Sequence, residues 1–469
     1  MTNELNCYTN QATSKALPID LVIIDQFDEW LDSQSLITQN WLKALKPLNI
    51  SSGQFFLVPD EKGCIDKIVM FIKDLYDICY VGDLPHNLPK GIYYLTTDLD
   101  PITQEQAYLY WGLGAYQFDN YRSNANQQQP AQLSTVNLSN NQKADLENQL
   151  QAVYEVRNLI NIPAEDMGPE QLAHKAQQIA QHYQANCQIT VGQDLLDNNF
   201  PAIHRVGRAA NEQPRLIDMT WGNHDAQTPT VTLVGKGVCF DTGGLDLKPS
   251  SNMRLMKKDM GGAAHVLGLA AMIMQSQLPV RLRVLIPAVD NAVSGNAYRP
   301  SDVIQMRNGQ YVEVTNTDAE GRLVMADAIT LACEESPELL IDFATLTGAA
   351  RAAVGTDIAA FWTTHASIAQ GLYSQVDKTR DSVWQLPLYQ DYKRLLKSSI
   401  ADSVNANVTS PYAGAITAAL FLQQFVDSPN TQWLHFDVMG YNTDHRPGHP
   451  QGGEAMGMRT VFEWLKQTY

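Results

Sequence analysis

Charged side chains that could hold metal ions or stabilise anions are concentrated in a few glycine-flanked segments. The octapeptide NTDAEGRL (316–323) places Asp318, Glu320 and Arg322 two residues apart. In an extended chain alternate side chains point to the same side, so the two carboxylates can share a target. Gly321 would let the backbone turn before the apolar segment that follows. The spacing is consistent with a solvated turn, or with carboxylates that converge on a cation.

Two further segments offer charged residues beside paired glycines. They are VGKGVCFDTGGLDLKPSSNM (234–253), which includes the end of a strand-like run, and MKKDMGGAAH (256–265), which leads into a helix-like run. Their charged candidates are Lys236, Asp241, Lys248 and Asp259. In a sheet covered by helices, ligands bind at the carboxyl ends of the strands, where these segments would meet the octapeptide.

Carboxylates gathered at one sheet edge would repel each other. At ~4 Å each like-charged pair costs about 1 kcal/mol in water and more inside a protein. Divalent cations would remove that repulsion, and hard oxygen ligands suit Mg, Mn or Zn. Because bridging carboxylates favour two ions, the grouping predicts a dinuclear metal site.

Simpler interpretations exist for each residue taken alone. A single aspartate is more often a helix cap or a surface charge, and a single lysine is more often a surface charge. The sequence VGKG lacks the spacing of a phosphate-binding loop. The absence of HExxH and GxSxG motifs argues against a zincin and against a serine nucleophile.

Apolar runs that alternate with helix-like segments must position these residues. The strand candidates are 21–27, 54–59, 67–72, 91–97, 230–235, 280–288 and 338–346, and the clearest helix candidates are 261–275 and 323–335. This alternation is typical of α/β proteins. It predicts two α/β domains, the larger with a mixed, mostly parallel sheet covered by helices on both faces.

The predicted domain boundaries follow a polar stretch and a long helix. Residues 1–138 would form a smaller N-terminal α/β domain that ends in a polar linker at 123–134. Residues 139–162 carry apolar residues at helical spacing and predict a connecting helix. Residues 163–469 would form the larger domain.

Composition and charge narrow the possible partners and location. The 469 residues are 18% charged, and 33 Lys and Arg against 50 Asp and Glu give a net charge of −17. Such a charge disfavours general nucleic-acid binding, which depends on contacts to phosphates. The six cysteines form no CxxC pair, the start lacks a signal-peptide pattern, and no run of about 18 apolar residues occurs. These features predict a cytoplasmic protein without a membrane span.

Several of these segments resemble those of a known enzyme family. The segments 234–253, 256–265, 316–323 and IDFATLTGA are similar to those of the leucyl (cytosol) aminopeptidases, dinuclear metallo-exopeptidases for which NTDAEGRL is a fingerprint. AGAITAALFL (413–422) and WLHFD (433–437) extend the resemblance, which covers the chain from roughly residue 150 onward. The earlier part is weakly similar to the family's variable N-terminal domain, mainly through WGLGAYQFDNYR. The resemblance implies that 163–469 is the catalytic domain.

The resemblance also implies two divalent metal ions per subunit, zinc or manganese, with magnesium as a third candidate. The matching ligands are Lys236, Asp241, Asp259, Asp318 and Glu320. Asp241 and Glu320 would bridge the ions. Asp318 would complete the more loosely held site, and Lys236 and Asp259 would complete the tighter one. A lysine ligand must be neutral, so burial and metal charge would have to lower its pKa.

The implied reaction is the release of N-terminal amino acids from peptides by attack of a metal-activated water. Lys248 would stabilise the developing oxyanion. The resemblance also implies that Arg322 holds a bicarbonate ion that acts as the general base, as in the family. This role is chemically sensible, because no spare histidine or glutamate in these motifs obviously serves as a base.

The implied pocket for the first side chain includes Met256, Thr345 and Gly348, while the carbonyl of Leu346 would bind the substrate main chain. A leucine-like, uncharged residue is the implied preference. One departure is Met439 in HFDVMGYN, where many family members have a small residue. The larger side chain would reshape the pocket.

Peptide substrates, intracellular peptide turnover and a homohexamer are further implications of the resemblance. Two other function classes use similar scaffolds or sites. Some relatives also bind DNA, which the charge of −17 disfavours, and two-metal sites also serve phosphoesterases. Nothing beyond the metal count supports the second alternative, so an aminopeptidase is the predicted function.

Overall fold

The computed structural model describes residues 5–11, 15–45, 50–123, 129–223, 225 and 227–469. These residues divide into two compact units. The N-terminal unit extends to Tyr154 and includes Thr443–Gln451, and the C-terminal unit comprises Glu155–Asn442 and Gly452–Tyr469. The division falls within the helix Asn140–Asn161, which occupies the stretch predicted to connect the domains.

The N-terminal unit contains a mixed sheet that has six strands among its described residues. The strands are β1 (Tyr8–Thr9), β2 (Leu17–Ile23), β3 (Phe55–Pro59), β4 (Ile65–Ile72), β5 (Ile92–Leu95) and β6 (Gln132–Ser134). The α-helices are α1 (Phe27–Asp32), α2 (Leu36–Leu45), α3 (Leu84–Asn87), α4 (Pro101–Ala115) and the first part of α5 (Asn140–Asn161). The order across the sheet is β1-β6-β5-β2-β4-β3, in which β3 is antiparallel to β4 and the other pairings are parallel.

Two predictions for this unit need correction. The run 21–27 is not one strand, because β2 ends at Ile23 and the chain turns into the 3₁₀-helix Ile24–Gln26. In the predicted linker 123–134, residues 124–128 lie outside the described residues, and the segment ends in β6. Leu133 is fully buried and its N–H donates to the carbonyl of Cys7 at 2.8 Å. Because the residues before β6 are polar, the sequence did not indicate this short strand.

The C-terminal unit holds the larger set of elements. Its strands are β7 (Asn186–Val191), β8 (Arg215–Trp221), β9 (Thr230–Gly235), β10 (Gly237–Asp241), β11 (Arg281–Asn291), β12 (Val303–Gln305), β13 (Tyr311–Glu313), β14 (Leu339–Ala344), β15 (Ala359–Thr363), β16 (Val383–Gln385), β17 (Ser403–Val404), β18 (Gln432–Asp437), β19 (Tyr441–Asn442) and β20 (Gly452–Gly453). Its α-helices are the end of α5, α6 (Pro169–His182), α7 (Gln193–Asp197), α8 (Pro201–Gly207), α9 (Ser250–Met253), α10 (Gly261–Gln275), α11 (Gly321–Glu334), α12 (Gly348–Val354), α13 (Ala366–Thr379), α14 (Gly414–Gln423) and α15 (Met458–Thr468).

The main sheet of this unit runs β16-β15-β18-β14-β9-β11-β8-β7, with β10 paired to β11. The central pairings β18-β14, β14-β9 and β9-β11 are parallel, as are β10-β11 and β15-β16. The pairings β15-β18, β11-β8 and β8-β7 are antiparallel. Every residue of β14 is buried, which is the pattern of a strand covered on both faces. The predicted α/β fold with a mixed, mostly parallel sheet is confirmed.

The parallel strands bring the charged segments to one edge of this sheet. Lys236 follows β9, Asp241 ends β10, Thr345 follows β14 and Asp437 ends β18. Because parallel strands point the same way, these residues lie at a common end. The sheet therefore gathers residues that are far apart in the sequence.

The six cysteines, which all lie within the described residues, have free thiols. Cys7, Cys239 and Cys333 are buried, while Cys64 is exposed. In the part of the chain that the structure describes, the helices are too short or too polar to cross a membrane.

Candidate metal centre

Three buried carboxylates form the centre of the site. Asp241 ends β10, Asp259 lies in the 3₁₀-helix Met256–Met260, and Glu320 immediately precedes α11. Carboxylate oxygens of the three residues all lie within 4.8 Å of one another. Each residue is at most 2% exposed. Buried acids so close together require positive charge between them.

Lys236 supplies part of that charge. Its Nζ lies 2.7 Å from Asp259 Oδ2 and 2.9 Å from Glu320 Oε1. Burial disfavours the ammonium, but the nearby carboxylates of Asp259, Glu320 and Asp241 outweigh burial and raise the pKa of Lys236. Without other cations, Lys236 is therefore a charged counter-ion.

Gly321 makes room for this lysine. A Cβ atom at Gly321 would lie 2.3 Å from Cε of Lys236, well inside contact distance. The φ angle of Gly321 is not positive, and the residue begins α11. The prediction that Gly321 serves a turn is therefore wrong, since this glycine allows the close approach of Lys236 to Glu320.

Lys248 pairs with the other two acids predicted at the site. Its Nζ lies 2.7 Å from Asp241 Oδ2 and also forms an ion pair with Asp318 Oδ1. Burial opposes the charge of Lys248, but Asp241 and Asp318 outweigh that effect and raise its pKa. All five predicted ligands and Lys248 are thus brought to one place.

Asp318 differs from Glu320 in its setting. The N–H of Asp318 donates to Asn316 Oδ1 at 2.8 Å, and the N–H of Ala319 donates to the Asn316 carbonyl at 3.3 Å. These bonds form a turn, so the prediction of an extended chain at this point is wrong. The side chain of Asp318 is 33% exposed, whereas that of Glu320 is 1% exposed.

Asn291 is a site residue that sequence reasoning missed. It ends β11, and its Nδ2 donates to Asp241 Oδ1 at 2.8 Å and to the Thr317 carbonyl at 3.0 Å. The N–H of Gly243 donates to the same Asp241 oxygen at 2.8 Å. These bonds orient Asp241. The available signal was the position of Asn291 at a strand end, which becomes informative only when the pairing of β10 with β11 is known.

The pKa values of the three carboxylates reflect the cost of gathering them. Burial, followed by repulsion from Asp259, raises the pKa of Asp241 to about 6. Burial and repulsion from Asp241 raise the pKa of Glu320 to about 7. For Asp259 burial acts in the same direction, but Lys236 and Lys258 outweigh it and lower the pKa.

The donor set fits divalent metal ions. Glu320 Oε2 is buried and has no hydrogen-bond partner among the described residues. Buried carboxylate oxygens are the ligands that hard dications prefer, and a bound ion would satisfy this one. A cation would also favour the ionised forms of Asp241 and Glu320, whose pKa values are raised in its absence.

Arg322 lies in the first turn of α11 with its guanidinium buried. One nitrogen, Nη1, donates to the Asn405 carbonyl at 2.8 Å, and the buried Nε has no hydrogen-bond partner among the described residues. Burial lowers the pKa of Arg322 to about 10, so the group stays charged at neutral pH. A buried cation with an unused donor is suited to a small anion.

Of the residues predicted for substrate binding, Thr345 contacts one of the acids. Thr345 Oγ1 donates to Asp259 Oδ1 at 2.8 Å, which joins the loop after β14 to the segment that carries Asp259. Met256 begins the 3₁₀-helix that carries Asp259, and Gly348 begins α12. Met439 is buried, and its neighbour Gly440 packs close to the methyl group of Thr345.

Asp437 holds the loop after β14. Its Oδ1 accepts from the N–H groups of Leu346 at 2.7 Å and Thr347 at 3.1 Å, and its Oδ2 accepts from Thr347 Oγ1 at 2.6 Å. The carboxylate therefore fixes the backbone that presents the Leu346 carbonyl. Although WLHFD was recognised as a family segment, its sequence did not reveal this role.

Comparison with known proteins identifies the family. The family model described as the cytosol aminopeptidase catalytic domain matches residues 154–462, and that of the M17 aminopeptidase N-terminal domain matches residues 17–134. Peptidase B of Pectobacterium carotovorum is 42% identical over 337 residues, which cover 70% of this chain and 77% of that protein.

Solved structures agree with these matches. The crystal structure of a cytosol aminopeptidase from Coxiella burnetii has a TM-score of 0.94 and 46% identity, and the match covers 99% of this chain and 100% of that one. The bottromycin maturation enzyme BotP in complex with Mn has a TM-score of 0.84 and 28% identity over 97% of this chain and 100% of that one. The resemblance found in the sequence is thereby confirmed, and the chain belongs to the cytosol aminopeptidase family of hydrolases.

Proposed function

We propose that the protein releases N-terminal amino acids from peptides at a two-ion site whose ligands are Lys236, Asp241, Asp259, Asp318 and Glu320. The observation that carries the proposal is the convergence of three buried carboxylates within 4.8 Å, with an orphaned oxygen on Glu320. Two divalent ions bound there would act as Lewis acids towards the scissile carbonyl and lower the pKa of a water. The complex of the relative BotP with Mn supports manganese, and zinc or magnesium fit the same oxygen ligands.

Lys236 and Lys248 take different roles in this proposal. Lys236 faces Asp259 and Glu320, so it would give up its proton to become a ligand when the ions neutralise those acids. Lys248 is less enclosed and keeps its proton. As an ammonium at the edge of the site, it would stabilise the negative charge that develops on the carbonyl oxygen.

Arg322 would hold bicarbonate, which would supply the general base that accepts a proton from the attacking water. Support comes from the unused, buried Nε of a guanidinium that stays charged at neutral pH. With bicarbonate bound at Arg322, the reaction would not require a side chain as its general base.

The substrates we propose are peptides with a leucine-like, uncharged first residue. Met256 and Gly348 support an apolar surface for that side chain, and the loop held by Asp437 supports main-chain binding through the Leu346 carbonyl. Met439 next to Gly440 would narrow this region relative to a small residue.

A cytoplasmic location and a homohexamer complete the proposal, and the function is intracellular peptide turnover. The names of the relatives as cytosol aminopeptidases support the location, and closed symmetry is general among soluble oligomers. The charge of −17 makes nucleic acid a poor partner.

The direct test is hydrolysis of a leucyl amide reporter by the purified protein, beside an aryl phosphate ester. We expect release from the leucyl reporter only. Glu320→Ala should abolish it and lower the bound metal measured by elemental analysis. Phosphate release without leucine release would refute the proposal.

A further inference from the structure

Asn405 is a buried asparagine whose carboxamide is bonded to the segment that precedes α11. It follows β17 and is 0% exposed. Its Oδ1 accepts from the N–H groups of Thr315 at 2.8 Å and Asn316 at 3.2 Å, and from Thr315 Oγ1 at 3.2 Å. Its Nδ2 donates to the carbonyls of Asn316 at 2.7 Å and Ala319 at 3.3 Å. Both polar atoms of the side chain are therefore used on residues 315–319.

The main chain of Asn405 is bonded to the helix that follows this segment. Its carbonyl accepts from Arg322 Nη1 at 2.8 Å, and Arg322 lies in the first turn of α11. One residue thus joins the start of the segment at Thr315, its end at Ala319 and the first turn of the helix. Asp318 lies within the loop that these bonds close.

Asp318 depends on its neighbours for its position. Its side chain is partly exposed and pairs with Lys248, which we do not propose as a metal ligand. The N–H of Asp318 donates to Asn316 Oδ1 at 2.8 Å. Because Asn405 binds both the N–H and the carbonyl of Asn316, it holds the residue on which the backbone of Asp318 rests.

The proposed ligands Asp241, Asp259 and Lys236 are held by other elements. Asp241 ends β10 and is oriented by Asn291. Asp259 lies in a 3₁₀-helix and accepts from Thr345 Oγ1, while Lys236 follows β9. A change at Asn405 therefore acts on Asp318 without direct contact with these three ligands.

We infer that Asn405 is a positioning residue that sets the metal affinity of the ion bound by Asp318. The inference rests on the proposed two-ion site, in which Asp318 completes one ligand set, and Lys236 and Asp259 complete the other. Groups that orient metal ligands contribute roughly 10–100-fold to metal affinity. Since Asn405 holds the ligand of one ion only, its side chain should affect the two affinities unequally.

The segment keeps a second attachment when the Asn405 side chain is removed. Thr317 Oγ1 donates to the Gly243 carbonyl at 2.6 Å, and the N–H of Thr317 donates to Asp246 Oδ2 at 2.7 Å. The Thr317 carbonyl accepts from the Tyr298 hydroxyl at 2.7 Å. Asn405→Ala should therefore loosen the backbone around Asp318 without detaching the segment.

The test is titration of the metal-stripped protein with Mn in competition with a chelator, which measures two affinities per chain. In Asn405→Ala we expect the affinity for the weaker ion to fall roughly 10–100-fold, and that for the tighter ion to stay at the wild-type value. A purely structural role would lower the temperature of thermal unfolding without this difference between the ions.

Thr315→Val keeps the test decisive if Asn405→Ala does not fold. Valine has nearly the shape of threonine, and the substitution removes only the bonds from Oγ1 to Asn405 Oδ1 and to the Ala406 carbonyl. It should weaken binding of the same ion by a smaller factor.

Asn407→Ala is the matched control, because the side chain of Asn407 bonds to its own loop. Its Oδ1 accepts from the N–H of Thr409 at 2.9 Å, and its Nδ2 donates to the Ser410 carbonyl at 3.0 Å. Both Mn affinities should equal those of the wild type. Two wild-type affinities in the folded Asn405 and Thr315 variants, or an equal loss of both, would overturn this inference alone. Fewer than two Mn ions bound by the wild-type protein would overturn the proposed two-ion site, and this inference with it.

Discussion

Lys248 is the cation whose charge we expect the reaction to use. It contacts Asp241 and Asp318 at the rim of the site and keeps its proton. Lys248→Ala should reduce kcat for a leucyl reporter by about 10²–10³-fold, the usual effect of removing one group that stabilises an oxyanion. Elemental analysis should find the metal content unchanged, since we do not propose Lys248 as a metal ligand.

Lys257→Ala serves as the control for the loss of a lysine nearby and should keep near wild-type kcat. Turnover of Lys248→Ala at the wild-type rate would contradict the role of Lys248. Loss of metal from that variant would show that its charge is structural instead.

Gly321 is predicted to act through Lys236. In Gly321→Ala the new methyl group would displace the Lys236 side chain, which lies 2.3 Å from the required Cβ position. The displaced atoms are the flexible end of a lysine, so the fold should survive. Metal affinity should fall roughly 10–100-fold, the usual effect of disturbing the groups that orient metal ligands. Titration with Mn in competition with a chelator measures this change.

Gly295→Ala is the matched control, because a Cβ atom there meets nothing within 4 Å and its φ angle is not positive. Its metal affinity should equal that of the wild type. Equal affinities for both variants would show that the position of Lys236 does not matter to metal binding.

At the scale of elements, the end of β18 positions the loop after β14. Asp437→Ala would leave the N–H groups of Leu346 and Thr347 without this acceptor. Both residues are half-buried, so water can replace part of the lost bonding and the cost should stay below the roughly 1–3 kcal/mol of a fully buried donor. We expect KM for the leucyl reporter to rise about tenfold, with a smaller change in kcat. Steady-state kinetics and thermal unfolding provide the two readouts.

Asp437→Asn keeps one carboxamide oxygen as an acceptor. Its KM for the leucyl reporter should therefore lie between those of Asp437→Ala and the wild type. An intermediate KM would indicate that Asp437 positions the loop, because a general loss of stability would not follow the number of acceptors that remain. A fall in kcat at constant KM in both variants would contradict the positioning role.

The sequence predicted those elements that local patterns define. The strand β9 and the helix α10 have the predicted bounds, because an apolar run or a glycine pair marks their ends. It also placed Lys236, Asp241 and Asp259 together, since the carboxyl ends of parallel strands share an edge. The strand β6 was missed because its burial depends on pairing with distant strands.

Site details that depend on tertiary contacts were outside the reach of sequence reasoning. The orientation of Asp241 by Asn291 follows from the pairing of β10 with β11. The need for glycine at 321 follows from the path of a side chain that begins 85 residues earlier. The turn at Asp318 depends on a hydrogen bond to the side chain of Asn316. The alternation of side chains along an extended strand takes no account of such a bond.

At the scale of the whole molecule, we expect a homohexamer. Sedimentation or light scattering should give six times the chain mass of 52.1 kDa. The prediction comes from the family resemblance and from the prevalence of closed symmetry. A monomeric mass at working concentration would contradict it without affecting the chemistry proposed for the site.

We propose that two divalent ions at the carboxylate cluster make this protein an aminopeptidase. The most direct measurement is to strip the protein with a chelator and follow leucyl reporter hydrolysis while Mn is added back. We expect no hydrolysis without metal, and a hydrolysis rate that rises until two ions are bound per chain. Full activity in the stripped protein, or none at any metal content, would contradict it.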